Sequence, residues 1–132
     1  MASIFTKIVN GEIPAYKVAE DEKFLAFLDI SPVTKGHTLV IPKTEIDYLF
    51  DLDDSLYTGL HLFAKKVACG IKKAVNCKKV GMLVLGLDVP HAHIHLIPMH
   101  KESDVNFSNT LKLDKKEFEE IQNKISLAIQ QS

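Results

Sequence analysis

Apolar positions along the chain change their period from segment to segment, and the changes mark out the elements. Ile4, Phe5, Ile8 and Ile13 suggest a short helical turn and a buried lead-in before Pro14. Segments 15–20 and 23–30 read as two strands of an antiparallel hairpin, joined through the charged turn Glu20-Asp21-Glu22-Lys23, with Ser31-Pro32 closing the second. Lys35-Gly36 then opens a third strand over 37–43, rich in β-branched and apolar residues. From Asp53, the residues Leu56, Leu60, Phe63, Val67, Ile71 and Ala74 recur at three or four, the spacing of a core-facing stripe on a long helix. Segments 79–86 and 91–99 are two further strands, joined by so short a connection that they should be antiparallel neighbours across a tight loop. After Asp114, Phe118, Ile121, Ile125, Leu127, Ala128 and Ile129 follow the helical period to the end of the chain.

A chain of 132 residues, 46% hydrophobic and 25% charged, is expected to form one domain, 1–132, without a linker or internal repeat. Sixteen basic against seventeen acidic residues give a net charge of −1, so no broad basic field is available for nucleic acid. No apolar run reaches the roughly 20 residues of a membrane span and the N-terminal residues lack a signal-peptide pattern, so a soluble, cytoplasmic protein is expected, with no membrane partner. Cys69 and Cys77 form neither a CxxC pair nor a disulfide framework, and Cys69 reads as an ordinary helix residue.

The chemistry concentrates in His91-Ala-His93-Ile-His95, which holds half of the six histidines. On a strand these three would share one face, roughly 7 Å apart, with Ala92, Ile94 and Leu96 packing on the long helix behind. Packing alone gives no reason to line a strand face with three imidazoles, since a buried ring needs partners for both nitrogens. Phosphate and metal are the two ligands such a row could take. Imidazole is the commonest metal ligand, but a catalytic zinc site would need a fourth group, for which only Asp88 and His37 are available.

His91-Ala-His93-Ile-His95-Leu-Ile97 resembles the signature of the histidine triad proteins. Ser-Ile-Phe-Thr-Lys-Ile at 3–8, Gly-Glu-Ile-Pro-Ala at 11–15, Phe-Leu-Asp-Ile-Ser-Pro at 27–32 and Gly-His-Thr-Leu-Val-Ile-Pro-Lys at 36–43 are similar, in order, to the nucleotide-binding branch of that family. The resemblance spans most of residues 3–100 and leaves 101–132 as an extension that packs on the domain or closes a dimer cleft. It implies an α+β domain with a five-stranded antiparallel sheet, a long helix across it and a C-terminal helix, paired edge to edge in a homodimer. It implies a nucleotide ligand and no cofactor, with Ile4, Phe5, Ile8, Phe27, Ile30 and Leu39 forming an apolar cleft for the base. Asp29 would accept from the ribose hydroxyls, and Asp88 and Val89 would complete the nucleotide site.

The implied activity is a nucleotidyl hydrolase or transferase acting on purine nucleoside 5′-phosphoramidates or related conjugates. His93 would attack the α-phosphorus to give a nucleotidyl-histidine, His95 would donate to the phosphate or leaving group, and His91 and His37 would orient His93. A nucleotide-binding module with weak catalysis and a metal-dependent hydrolase are the alternatives. Three departures from the family bear on the choice. The Asn/Gly loop before the triad is replaced by the strand-like run Val80–Gly86; Asp88 stands where a small polar residue is usual; and Met99 with His100 replaces a frequent arginine. Asp88 would repel phosphate unless it orients a histidine or meets a cationic leaving group. The positions of a structural zinc site in some relatives read Ser3, Thr6 and Glu45, whose hydroxyls are poor zinc ligands, so that site is expected to be absent.

Overall fold

The computed structural model describes residues 2–131 and shows an α+β architecture: a five-stranded antiparallel sheet with one long helix, a C-terminal helix and a short N-terminal helix. The elements are α1 (Ile4–Val9), β1 (Lys17–Glu20), β2 (Phe24–Leu28), β3 (Thr38–Pro42), α2 (Asp54–Ala74), β4 (Lys79–Leu83), β5 (Ile94–Met99) and α3 (Lys115–Gln130). Strand order is β1-β2-β3-β5-β4, every neighbouring pair antiparallel. The hairpin turn forms because Asp21 Oδ1 accepts from the backbone N–H groups of Lys23 and Phe24, both at 2.8 Å.

All three α-helices start at side-chain caps that accept an otherwise orphaned N–H: Ser3 from Thr6, Asp53 from Leu56 and Asp114 from Glu117. The expected start at Asp53 and the expected C-terminal helix after Asp114 are both observed.

Alternation along the strands divides the apolar residues into two layers. Phe24, Ala26, Leu28, Val40, Ile94 and Leu96 turn toward α2 and α3, where they join Leu60, Val67, Ile71, Phe118, Ile125 and Ile129. The predicted stripe on the long helix and the backing face at Ala92, Ile94 and Leu96 are therefore core, and the C-terminal extension shares that core. At Gly70 α2 and α3 approach closely, since a Cβ there would lie 2.3 Å from Ile129 Cγ1. On the opposite face Leu25, Phe27, Leu39 and Ile41 pack beneath Phe5 and Ile8 of α1. Cys69 lies on α2 and is exposed, and Cys77 is buried. No described helix is long and apolar enough to cross a membrane.

Two expectations need correction. The strand expected over 91–99 begins only at Ile94, because His91 and Ala92 are drawn into other hydrogen bonds: Ala92 N–H donates to Ile46 O at 2.7 Å, and the His91 ring donates to Pro42 O. The strand expected over 79–86 stops at Leu83, so ten residues, 84–93, connect two strands that are indeed neighbours, and the tight loop does not exist. Within that loop Gly86 adopts φ 72°, a backbone region that favours glycine.

Candidate active site

A cavity of about 520 Å³ opens on the α1 face of the sheet. One wall is Ile4, Phe5 and Ile8 of α1, the floor is Phe27 and Leu39, and the loop residues Asp29, Ile30, Asp88 and Val89 surround His93 and His95. All nine residues expected to bind nucleotide line this cavity, including Ile30, which is 71% exposed. No Lys or Arg is among the lining residues, so any phosphate there must be met by imidazoles, hydroxyls and backbone.

The four candidate histidines are all buried, but they do not form the expected row. His95 projects from β5 beside Leu39 of β3. His93 precedes the strand and stands closer than the expected 7 Å, its ring centroid 5.0 Å from that of His95. His91 and His37 do not line the cavity; each lies behind one of the other two. Two imidazoles, not three, face the ligand space. The remaining histidines stand apart: His61 Nδ1 bonds Tyr57 O within α2, and His100 is exposed.

The hydrogen bonds fix every tautomer in the cluster. His93 Nδ1 lies 2.7 Å from His91 O, and a carbonyl only accepts, so Nδ1 carries the proton and, in the neutral ring, Nε2 keeps its lone pair. His91 Nε2 likewise donates to Pro42 O at 2.7 Å, so its Nδ1 accepts from Ser3 Oγ at 2.9 Å. Val33 N–H donates to His37 Nδ1 at 3.1 Å, which places the His37 proton on Nε2. That Nε2–H donates to His95 Nδ1 at 2.9 Å, and the proton of neutral His95 is thereby on Nε2. The cavity thus receives a lone pair from His93 and an N–H from His95, side by side. His37 fixes His95, and a main-chain carbonyl fixes His93. The expected common role of His37 and the His91 ring as orienters of His93 is corrected accordingly.

Burial works in the same direction. Desolvation, reinforced by His95, holds His37 down at about 3, and desolvation, reinforced by His93, holds His95 at about 4; both are neutral near pH 7. His91 is also lowered, mainly by burial. The carboxyl of Asp29 is raised, chiefly by burial, against the lowering effects of the Ser31 N–H and His93. Ser31 N–H occupies its Oδ1 at 2.8 Å, leaving Oδ2 as the freer acceptor, 3.6 Å from His37 Nε2.

Asp29, His37 and His95 bring ligand-type atoms within 4.8 Å of one another, the only such group among the described residues, and Asp88 is not part of it. The trio does not fit a metal as it stands. The His37 and His95 centroids are 5.2 Å apart across a 2.9 Å N···N contact, the geometry of two rings joined end to end, so their nitrogen axes point at each other. An ion about 2.0 Å from each nitrogen would lie off both axes. The arrangement is that of a shared proton.

Behind His91, Ser3, Thr6 and Glu45 form a hydrogen-bonded latch. Glu45 Oε1 accepts from Ser3 N–H and, at 2.7 Å, from the Thr6 hydroxyl, while Ser3 Oγ holds His91. These bonds seat α1, and Phe5 of α1 packs edge-on against His93 at 5.0 Å and Phe27 at 5.5 Å. The Glu45 carboxylate is held at about 2, first by the Thr6 hydroxyl and then by Ser3.

The sequence reading missed Phe107 and Thr110, which also line the cavity from the C-terminal extension. Phe107 meets the His95 ring edge-on at 5.2 Å. Its signal was available: a lone aromatic within the polar stretch Lys101–Thr110.

The fold is a small α+β domain that presents paired imidazoles to an apolar cleft. The HIT domain model matches residues 10–102, and the chain belongs to the HIT family. It is 39% identical to an uncharacterized HIT-like protein of Borreliella burgdorferi over 96% of this chain and 97% of the relative. It is 38% identical to the adenosine 5′-monophosphoramidase of Saccharomyces cerevisiae over 76% of this chain and 65% of that enzyme. The crystal structure of a hypothetical histidine triad nucleotide-binding protein from Sulfolobus tokodaii superposes with a TM-score of 0.84 at 34% identity, covering 97% of this chain and 92% of the other.

Proposed function

We propose that this protein is a nucleotidyl hydrolase or transferase that cleaves purine nucleoside 5′-phosphoramidates or related conjugates through a nucleotide transiently attached to His93. The observation that carries the reading is the opposed protonation of His93 and His95 at the cavity surface. The phosphoramidase activity named for the yeast relative supports the substrate class.

In this reading the base lies between α1 and the Phe27–Leu39 floor, and Asp29 Oδ2 accepts from the ribose hydroxyls. The His93 Nε2 lone pair attacks the α-phosphorus; the P–N bond breaks and its electrons leave with the nitrogen. The resulting positive charge on the His93 ring is met by the His91 carbonyl on Nδ1–H. His95 Nε2–H donates to a non-bridging oxygen, where charge accumulates. It has one proton to share and none to surrender, because Nδ1 can replace it only by taking the His37 proton. The departing amine therefore takes its proton from water at the cleft mouth. Water then attacks phosphorus and gives up its proton to the hydroxide left by the first step, the N–P bond returns its electrons to Nε2, and the nucleotide leaves. His37 is a positioning residue for His95, and His91 acts through its main-chain carbonyl.

The same reading includes a homodimer joined through the outer edge of β4, which pairs with no further strand among the described residues. The test of function is intact-protein mass spectrometry after a rapid acid-free quench with an adenosine phosphoramidate, comparing wild type with His93→Gly. An added nucleotidyl mass in wild type alone is expected. Binding without turnover or adduct would instead identify a nucleotide-binding module.

A further inference from the structure

Residues 105–111 lie outside the family-matched segment 10–102, yet Phe107 and Thr110 among them line the cleft. The chain after β5 makes a tight turn in which Asn106 Oδ1 accepts from Ser108 N–H at 3.0 Å and Asn109 N–H donates to Asn106 O at 3.2 Å. Phe107 stands within this turn. Leu111 N–H then donates to Pro32 O at 2.7 Å, fastening the strap to the loop that carries Asp29 and Val33. Phe107 meets the His95 ring at 5.2 Å and the His37 ring at 6.1 Å, both edge-on. Phe5 stands in the same relation to His93, at 5.0 Å. The two imidazoles are therefore bracketed by two phenyl rings, one from α1 on the base side and one from the strap on the side where a leaving group would depart.

We propose that Phe107 is a positioning residue for His95: it covers the His37–His95 hydrogen bond from water and forms the wall of the leaving-group side of the cleft. This rests on the phosphoramidate reading for the reaction but not for the effect on His95. The physical argument is that an N–H···N bond between two neutral imidazoles keeps its direction only while water cannot offer either nitrogen a better partner. His37 is shut in by Val33 N–H, Asp29 and the sheet, but His95 faces the cavity and has solvent within reach. Phe107 is 42% exposed, so one side of its ring is wet while another rests on the pair. Groups able to charge or polarise His95 are His37, His93, Asp29 and Asp88; no Lys or Arg lines the cavity. Removing the phenyl admits water to the pair and relieves part of the desolvation that disfavours a charged ring, which favours protonation of His95 and loosens its orientation.

The test compares wild type with Phe107→Ala and Phe107→Leu, the second retaining an apolar cover. Long-range ¹H–¹⁵N spectra of the imidazoles follow the tautomer and titration of His95, and steady-state kinetics with an adenosine phosphoramidate follow the reaction. In Phe107→Ala the His95 midpoint should rise by about one pH unit or more. kcat should fall about tenfold with KM within about twofold, and Phe107→Leu should recover most of both. An unmoved His95 midpoint in Phe107→Ala, or equal losses in the two variants, overturns the proposal. Absence of turnover in wild type would count against the phosphoramidate reading alone, because the imidazole titration decides the role of Phe107 without any reaction.

Discussion

Replacing Ser3 with alanine tests the link between α1 and the histidine cluster. The Ser3 hydroxyl accepts from Thr6 N–H at 3.1 Å as the helix cap, and its one proton goes to His91 Nδ1 at 2.9 Å, nearer than Thr6 Oγ1 at 3.3 Å. Loss of the cap costs about 1 kcal/mol. Loss of the donor leaves a fully buried imidazole nitrogen unsatisfied, since His91 cannot move its proton without abandoning Pro42 O; that costs about 1–3 kcal/mol. Thr6 Oγ1, 3.4 Å from the same nitrogen, can substitute only by releasing Glu45. A total of roughly 2–4 kcal/mol lowers the melting temperature of a chain of this size by roughly 6–15 °C. Calorimetry of Ser3→Ala alone and in a His91→Gln background separates the two parts. In the double variant the loss should shrink toward the cap's share of about 1 kcal/mol. An equal loss in both backgrounds, or a melting temperature unchanged by Ser3→Ala, would refute the connection.

His37→Phe should lower kcat by about ten- to a hundredfold by releasing the His95 tautomer, and His37→Gln, which retains a donor, should lose less; kinetics on the same phosphoramidate decide it. Asp29→Asn should erase most of any preference for adenosine over 2′-deoxyadenosine conjugates, read as the ratio of kcat/KM values. Asp88→Asn should alter the preference between cationic and neutral leaving groups; identical kinetics would remove Asp88 from the site. Because the folded-state values of His37 and His95 lie below that of an unfolded histidine, the unfolded chain binds more protons below pH 6.5. Stability should therefore fall as pH drops from about 6.5 to about 4, by up to about 1.4 kcal/mol per pH unit for each group, and His37→Gln should flatten the profile of urea midpoints.

The sequence made the secondary structure legible wherever a period was long and uninterrupted. The stripe from Leu56 to Ala74 and the cap at Asp53 located α2 closely, because a helix of this length has no competing register. The alternation through His91–His95 misled because it is equally consistent with a strand and with a strand preceded by an extended loop. The deciding contacts, Pro42 O with the His91 ring and Ile46 O with Ala92 N–H, are more than forty residues away in sequence. The motif located the cavity-facing pair, but partners supplied by Val33, His37 and main-chain carbonyls decide which nitrogen carries which proton, and no local pattern reports them. Phe107 lies beyond the family-matched segment, and the bond from Leu111 N–H to Pro32 O that folds its strap back onto the cleft leaves no trace in the local pattern.

The two working imidazoles differ in how they can be lost. The protonation of His93 is dictated by a carbonyl that every residue at position 91 would supply, so no side-chain replacement there removes the acceptor itself; only a change in the path of the backbone could. The protonation of His95 depends on the side chain of His37, which one base change can replace. If His93 and His95 act as proposed, a single substitution at position 37 therefore resets the hydrogen-bond donor while the nucleophile persists, and variants that still bind a nucleotide but turn it over slowly lie one step from this sequence.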